Sequence, residues 1–288
     1  MLRLLVSVRI RTKGRAFLFF SVHEPTGREV PVVVEVPHAG LFVDPESLAT
    51  LAAPARCLGY DADLYVNELF ADAVHEGASL VVAHVSRYVC DLNRAEHDID
   101  SMTVEGGAPR VAPHGLVWRL TTENQIALTR PLTQHELSRR LRHIYRPYHA
   151  ALTELLRRKQ ERFGYAIVLC AHSMPSRGRV GHSDPGRERA DVVPGSRGRT
   201  TAAEAVIDMP ERVAREFGYS VAHDDPYRGG FATGWYGRPH ENLHALQVEL
   251  SRRLYMDELT LAKKPREFER TRQYCRTLVA RLAALELA

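Results

Sequence analysis

Short apolar runs alternate with stretches of helical periodicity along the chain. The apolar runs are rich in Val, Leu and Ala, and this composition over five to seven residues predicts buried β-strands. The predicted strands are residues 30–36, 79–85, 165–170, 219–223 and 244–250. Because helical stretches separate most of these strands, their order predicts an α/β fold with a largely parallel sheet.

Helical spacing is clearest in two stretches. Residues 61–76 carry apolar side chains at i, i+3, i+4 and i+7, and Gly77 supplies a stop signal. Residues 265–285 have the same amphipathic spacing and predict a C-terminal helix. Segments without clear periodicity predict surface loops, and these are residues 97–130, 177–200 and 224–238.

Two capping-box patterns predict where two further helices begin. Thr133 is followed at the third position by Glu136, and Thr201 is followed in the same way by Glu204. In such a box the hydroxyl and the carboxylate each bond a backbone N–H that the helix leaves free. Pro147 lies within the first of these helices, where we expect it to produce a kink.

The composition is that of an ordinary globular protein. Of the 288 residues, 44% are hydrophobic and 26% are charged, which excludes a disordered or collagen-like chain. No apolar run approaches the roughly 18 residues of a membrane span, so we expect no membrane partner. The four cysteines show no metal-ligand spacing, which is typical of reduced thiols in a cytoplasmic protein.

The net charge of +4 is concentrated at the N-terminus. Residues 1–15 hold five basic side chains and no acidic one, whereas the remainder holds 34 basic and 35 acidic side chains. A nucleic-acid-binding protein normally carries a basic stripe on its folded body. We therefore expect no nucleic-acid partner, a basic N-terminal extension over residues 1–15, and a single domain over residues 16–288.

Polar side chains with catalytic chemistry follow the predicted strands. His38, Arg87 and His172 each come just after an apolar strand, and Glu249 lies near the end of another. Ligands bind at the carboxyl ends of the strands in open parallel sheets. Imidazoles and a carboxylate can hold a metal, a separate Glu can move protons, and arginines can bind an anion. The pattern indicates a mononuclear metal hydrolase, although a single histidine after a strand is more often a capping or hydrogen-bonded residue than a ligand.

One motif indicates a different chemistry. Residues 240–244 match HExxH, which on a helix turns two imidazoles toward one zinc ion and uses the Glu as a base. The preceding residues are rich in Gly and end in Pro239, which is unlike the buried helix of such enzymes. A metallopeptidase that uses His240 and His244, with Glu241 as its base, stays open as the alternative.

Several segments together resemble the N-formylglutamate amidohydrolase (N-formylglutamate deformylase) family. The most specific are Ser-Arg-Tyr…Asp-Leu-Asn-Arg within residues 86–94 and Gln-x-Glu…Tyr-Met-Asp-Glu within residues 247–258. The remaining matching segments, which fall in the family's order, are residues 34–40, 61–67, 171–176 and 226–230. The resemblance extends from about residue 16 to about residue 285.

The resemblance implies a three-layer α/β/α fold with a mostly parallel mixed sheet, of the phosphorylase/hydrolase-like, zinc-exopeptidase type. It implies metal-dependent hydrolysis of the amide bond of N-formyl-L-glutamate to L-glutamate and formate, as part of histidine degradation. The cofactor would be a divalent metal, zinc, and the partner would be a small anionic N-acyl amino acid.

Site residues follow from the same resemblance. Asn93 and Arg94 would grip the substrate carboxylate, and Arg228 would assist them. Arg87 would polarise the scissile carbonyl, and Glu249 would shuttle the proton.

The metal ligands implied by the resemblance are His38 and His172. Carboxypeptidase-type relatives have Glu three residues after the first His, where this chain has Leu41. We therefore choose Asp63 as the third ligand, with Asp61 as the second choice. A departure from the family pattern near Gly195 leaves open a hydrolase of another N-acyl amino acid, and a non-enzymatic binding module also stays open.

Overall fold

The computed structural model describes residues 9–12, 15–109 and 113–287. The strands in this part of the chain are β1 (Arg9–Thr12), β2 (Arg15–Leu18), β3 (Phe20–His23), β4 (Val32–Val36), β5 (Ser79–Ala83), β6 (Ala166–Met174), β7 (Val192–Gly195) and β8 (Leu243–Ser251). The α-helices are α1 (Pro45–Leu48), α2 (Ala55–Asp61), α3 (Val66–Leu69), α4 (Gln134–Arg140), α5 (Arg146–Phe163), α6 (Glu204–Glu216), α7 (Phe231–Tyr236) and α8 (Pro265–Ala283).

Six strands form one mixed sheet in the order β3-β5-β4-β6-β8-β7. The four central strands β5, β4, β6 and β8 are parallel, and the edge strands β3 and β7 are antiparallel to their neighbours. Strands β1 and β2 pair in a separate antiparallel ribbon that includes part of the basic N-terminal segment. The mostly parallel mixed sheet is as predicted.

Helices cover both faces of this sheet because successive strand residues point to opposite sides. On β4, Val32 and Val34 pack into a core that includes apolar residues of α3, α6 and α8. Val33 packs into a second core with residues of α4, α5 and α7. The predicted three-layer α/β/α fold is confirmed. No helix in the described part of the chain is both long enough and apolar enough to cross a bilayer.

The first capping box is present as predicted. The Thr133 hydroxyl accepts from the Glu136 N–H at 3.2 Å, and the Glu136 carboxylate accepts from the Thr133 N–H at 2.7 Å. The irregularity expected at Pro147 is a π-helical turn over Leu141–Tyr145, which joins α4 to α5. Because Pro has no N–H, the chain cannot continue the regular bonding pattern, and the wider turn accommodates that gap.

The prediction of one continuous helix over residues 61–76 is wrong. The segment contains the end of α2, an extended Ala62, the short α3, and a 3₁₀ turn at Ala71–Val74. Tyr65 has a φ of 68°, and the Asp63 N–H bonds the His38 carbonyl at 2.9 Å, so a regular helix cannot form here. Its apolar side chains are nevertheless buried in one core, which explains the helical spacing.

The predicted strand over residues 219–223 is also wrong. The edge strand beside β8 is instead β7, which lies within the predicted loop of residues 177–200. Residues 219–223 make only an isolated bridge to β7 through Val221. Pro194 lies in β7, which is an edge strand of the sheet. A proline, which has no backbone N–H, is tolerated in such a strand.

The second capping box does not form. Ala203 is the residue that precedes α6, and it makes no side-chain cap. The Thr201 hydroxyl instead donates to the carbonyls of Ser196 and Ala245, at 3.2 and 2.8 Å. Thr201 therefore ties the loop before α6 to β8 and does not start the helix. The isolated sequence pattern cannot distinguish these two uses of a hydroxyl.

Candidate functional site

A cavity of about 460 Å³ opens at the carboxyl ends of the parallel strands. This is the position at which open α/β sheets bind ligands. All eight site residues predicted from the sequence line this cavity, namely His38, Asp63, Arg87, Asn93, Arg94, His172, Arg228 and Glu249. The strand ends thus bring together residues that lie more than 200 positions apart in the chain.

The two histidines and one aspartate converge on a single point at the bottom of the cavity. The Nδ1 atoms of His38 and His172 lie 3.2 Å apart. Asp63 Oδ2 lies 3.5 Å from the first of these nitrogens and 3.0 Å from the second. All three side chains are buried. Within the described residues, this is the group of His, Cys, Asp and Glu side chains that has the spacing of a metal site.

Asp91 fixes the orientation of His38 from the outer side. Its Oδ1 atom lies 2.7 Å from His38 Nε2, and its Oδ2 atom accepts from Trp118 Nε1 at 2.9 Å. A carboxylate behind a ligating imidazole holds the proton on Nε2 and leaves the Nδ1 lone pair free. Burial favours the neutral acid, but the charges of His38 and Arg87 outweigh it and hold the pKa of Asp91 well below its usual range.

Asp63 and Asp61 lie two residues apart and have different environments. Arg252 contacts Asp63 Oδ1 at 3.4 Å and donates to the Ala62 carbonyl at 2.6 Å, which orients the carboxylate toward the histidines. Burial works against the charged form, but hydrogen bonds with His172 and His38 hold the pKa of Asp63 well below its usual range. Both oxygens of Asp61 are occupied by Tyr88, Thr122 and Arg179.

Glu249 is buried in the cavity wall beside the three converging side chains. It is paired in register with His172 across β6 and β8, and its Oε1 atom accepts from the Gln247 amide at 3.0 Å. Burial raises the pKa of the Glu249 carboxyl, and the charge of Asp63 adds to that rise while His172 opposes it. A carboxyl group with a raised pKa can both accept and return a proton near neutral pH.

Arg87 lies against Trp118 and is held by an acidic partner. Its Nη2 atom donates to Asp91 Oδ2 at 2.9 Å, and its Nη1 atom donates to the Asp61 carbonyl at 3.2 Å. The guanidinium carbon lies 4.3 Å from the centre of the Trp118 ring. Because a guanidinium has five N–H groups, Arg87 retains donors for a ligand in the cavity.

Asn93 is more enclosed than the sequence alone indicates. Its Oδ1 atom accepts from the Ala232 N–H at 2.9 Å, and its Nδ2 atom lies 3.2 Å from His172 Nε2. A Cβ at Gly230 would lie 2.2 Å from Nδ2, so only glycine permits this approach. Asn93 therefore lies against the His172 ring and bonds the start of α7, as well as lining the cavity.

Arg94 and Arg228 have a different environment. Both line the cavity, and neither guanidinium has a hydrogen-bond or ion-pair partner among the residues that the structure describes. Arg228 is exposed, and Arg94 is partly exposed. Two unpaired cations at one opening favour the binding of an anionic ligand.

The HExxH alternative fails on local structure. His240 lies in a 3₁₀ turn, Pro239–Glu241, with its side chain 77% exposed, whereas His244 lies within β8. The Nδ1 atom of His244 accepts from the Ala203 N–H at 3.2 Å. Because the motif requires one continuous helix, these residues do not form a zinc site of that kind.

Three residues at the site escaped sequence reasoning. Asp91 lies within the family-like segment of residues 86–94, and its position four residues after the strand-end Arg87 was an available signal. Arg252 follows β8 directly, which is the same strand-end signal. No sequence pattern distinguishes Trp118, because it lies in a long segment without regular structure.

The donor set fits a tetrahedral divalent cation. Zinc bonds of about 2.0–2.1 Å to nitrogen and oxygen place neighbouring ligand atoms about 3.3–3.4 Å apart. The three separations at this site are 3.2, 3.5 and 3.0 Å. Two imidazoles and one carboxylate are also ligands that zinc accepts, and three protein ligands leave a fourth position for catalysis.

The sequence matches the family model described as N-formylglutamate amidohydrolase over residues 30–256. It is 34% identical to N-formylglutamate deformylase from Pseudomonas aeruginosa, over 88% of this chain and 93% of that protein. It is 33% identical to N-formylglutamate deformylase from Pseudomonas putida, over 80% of this chain and 83% of that protein.

A solved structure agrees with these sequence matches. The crystal structure of N-formylglutamate amidohydrolase from Ralstonia eutropha JMP134 superposes with a TM-score of 0.83 at 35% identity, and the match covers 92% of this chain and 96% of that one. The family match spans every residue of the converging site and both unpaired arginines. The chain therefore belongs to the N-formylglutamate amidohydrolase family.

Proposed function

We propose that the protein hydrolyses the amide bond of N-formyl-L-glutamate to L-glutamate and formate, with zinc as its divalent cofactor. The observation that carries the proposal is the convergence of His38, His172 and Asp63 beside the buried Glu249, in a cavity that also holds unpaired arginines. Relatives that are 33–34% identical bear the name N-formylglutamate deformylase.

The metal would be held by His38 Nδ1, His172 Nδ1 and Asp63 Oδ2. A divalent cation at this position supplies Lewis acidity that favours ionisation of water and polarises the formyl carbonyl. Asp91 and Arg252 keep two of these ligands in place from behind, at 2.7 Å from His38 and 3.4 Å from Asp63. Such support is typical of metal sites whose ligands must not rotate away.

Glu249 would act as the general base and then as the general acid. It would accept a proton from the attacking water and donate it to the nitrogen of glutamate as the C–N bond breaks. Its burial raises its pKa, which brings proton transfer closer to neutral pH. Gln247 holds one carboxylate oxygen at 3.0 Å, so the other oxygen is available to the reaction.

Arg87 would stabilise the negative charge that develops on the formyl oxygen. Its anchoring by Asp91 and its stacking on Trp118 fix the guanidinium before substrate arrives. A donor that is already oriented needs no reorganisation when charge develops.

Arg94 and Arg228 would pair with the two carboxylates of the substrate, and the Asn93 side chain would complete the wall. Hydrogen bonds to charged groups contribute about 1.5–3 kcal/mol each, which favours a dianionic substrate over a neutral one. We assign this reaction to histidine degradation, as the family resemblance implies. The four cysteines are free and buried, which supports a cytoplasmic location.

The decisive experiment combines metal analysis with formate release. We expect about one zinc ion per chain and formate release from N-formyl-L-glutamate that a chelator abolishes and zinc restores. N-acetyl-L-glutamate and N-formyl-L-aspartate, tested in parallel, separate this activity from hydrolysis of another acyl amino acid. Full activity in metal-free protein would exclude the proposed role of the three ligands.

A further inference from the structure

The loop between β6 and β7 places one histidine in the wall of the cavity. The loop folds back on itself, because the Gly178 N–H donates to the Arg187 carbonyl at 2.9 Å. It is also bound to a distant segment of the chain, because the Gly181 N–H donates to the Thr122 carbonyl at 2.8 Å. His182, the next residue, lines the cavity. These two backbone hydrogen bonds therefore hold the segment that contains His182 in place.

The two neighbours of the His182 Nδ1 atom are both N–H donors. The backbone N–H of Arg179 donates to it at 2.9 Å, and Arg189 Nη2 lies 2.9 Å away. A backbone amide nitrogen and a guanidinium cannot accept hydrogen bonds. The Nδ1 atom must therefore be unprotonated, and the proton of the neutral ring must be on Nε2.

The partner arginine is itself immobilised. The Arg189 side chain is buried and is held by Asp184 through Nε at 2.9 Å and Nη2 at 2.6 Å. Burial together with the charges of Arg189 and Arg179 lowers the pKa of His182 to about 4. The ring is neutral above that pH, and among the described residues no group accepts a hydrogen bond from its Nε2–H.

We infer that His182 is a substrate-binding residue whose Nε2–H donates to the side-chain carboxylate of the N-formyl amino acid. The inference rests on the proposed function and specifies how that site selects a dicarboxylic substrate. The Nε2–H is the free donor of a ring that lines the cavity, and Arg94 and Arg228 in the same lining supply the charge. A hydrogen bond to a carboxylate is stronger than one to a neutral oxygen, so this donor favours an acidic side chain.

The position of His182 distinguishes between the two carboxylates of the substrate. The α-carboxylate lies next to the scissile nitrogen and must therefore stay near the converging histidines and Glu249. Among the described residues, no hydrogen bond or ion pair joins His182 to His38, Asp63, His172 or Glu249, and its ring partners belong to its own loop. The side-chain carboxylate, two methylene groups farther from the reacting bond, is the group that reaches this loop.

The experiment compares His182→Ala and His182→Gln with the wild type on N-formyl-L-glutamate and on its neutral isostere, N-formyl-L-glutamine. We expect His182→Ala to raise KM for N-formyl-L-glutamate about 10- to 100-fold with kcat nearly unchanged. The loss on N-formyl-L-glutamine should be several-fold smaller. Glutamine carries an amide N–H close to the position of imidazole Nε2, so His182→Gln should recover most of the affinity. His135→Ala, on the exposed surface of α4, is the control.

Inhibition by the product measures the binding of a ligand that is not itself hydrolysed. The inhibition constant of L-glutamate should rise in His182→Ala, and that of L-glutamine should change much less. If His182→Ala does not fold, His182→Asn replaces it in both assays, because its amide oxygen can accept the two bonds now made to Nδ1 and it leaves no donor at the position of Nε2. An unchanged KM, or equal losses on both substrates, overturns the inference and leaves the proposed function intact. A wild-type protein that releases no formate overturns both.

Discussion

The floor and the opening of the cavity differ in how their polar groups are satisfied. On the floor, His38, His172 and Asp63 contact one another, and Asp91 and Arg252 hold them from behind. At the opening, Arg94 and Arg228 have no hydrogen-bond or ion-pair partner within the described residues. The polar groups on the floor are held in place before any ligand binds, whereas the two arginines at the opening remain available to pair with a ligand.

Because of this difference, we expect substitutions on the floor to affect catalysis and substitutions at the opening to affect substrate binding. A change on the floor removes a group that others hold in place, so its loss should affect the reaction itself. A change at the opening removes one contact with substrate, so its loss should affect binding first. The predictions below test that separation, beginning with the largest effect.

The largest effect is expected when the two neighbouring aspartates are compared. Asp63→Asn should lose bound zinc, and its activity should fall by more than about a hundredfold. Loss of a residue that only supports a metal ligand can already lower activity by about that factor, so loss of a ligand should cost more. Asp61→Asn should keep its zinc and lose thermal stability, because Asp61 bonds Tyr88, Thr122 and Arg179. Metal content and melting temperature measure the two outcomes. Equal zinc content in both variants would refute the assignment of Asp63.

Glu249→Gln should show a pure catalytic loss. The change keeps the shape and removes the proton-accepting charge, so turnover should fall by about two to four orders of magnitude with zinc retained. The wild type needs the ionised carboxylate, and burial raises the pKa of Glu249 above the usual range of a glutamate. The kcat/KM of the wild type should therefore fall, as the pH is lowered, at a higher pH than an ordinary glutamate would give. Loss of zinc with near-normal turnover after reconstitution would show that Glu249 is structural.

The smallest of these effects is expected at the opening. Arg94→Gln removes one cation, so KM for N-formyl-L-glutamate should rise about 10- to 100-fold with kcat nearly unchanged. Arg177→Gln, on an exposed residue outside the cavity, is the matched control. Steady-state kinetics at two salt concentrations measure both variants. A fall in kcat without a change in KM would show that Arg94 acts in the chemical step. The proposed division between catalysis at the floor and binding at the opening would then be wrong.

The strand-end rule explains why much of the site could be predicted from the sequence. His38 follows β4, and His172 and Glu249 lie near the carboxyl ends of β6 and β8. Parallel strands bring their carboxyl ends to one edge of the sheet. The third ligand was harder, because Asp63 was predicted inside a helix. Its actual place in an irregular turn depends on the Asp63 N–H bond to the His38 carbonyl, a contact between distant segments.

Errors in the predicted fold have a common physical origin. The helical spacing of residues 61–76 arises because its apolar side chains are buried in one core. Several short turns can bury those side chains as well as one helix can. Strand β7 was missed because its sequence, with Pro194 and Gly195, has little strand character on its own. It becomes a strand through pairing with β8, and a pairing partner is not visible in local sequence.

The pairing of Trp118 with Asp91 also gives the protein an internal optical probe. The chain has two tryptophans, and Trp118 is 4% exposed while Trp235 is 62% exposed. Iodide in the solvent quenches the exposed indole and leaves the emission of Trp118. The Trp118 indole N–H bonds Asp91, the same carboxylate that bonds His38, and its ring lies against Arg87. Its emission wavelength therefore reports charge arriving at the site, so that cation and substrate binding can be followed in the unmodified chain.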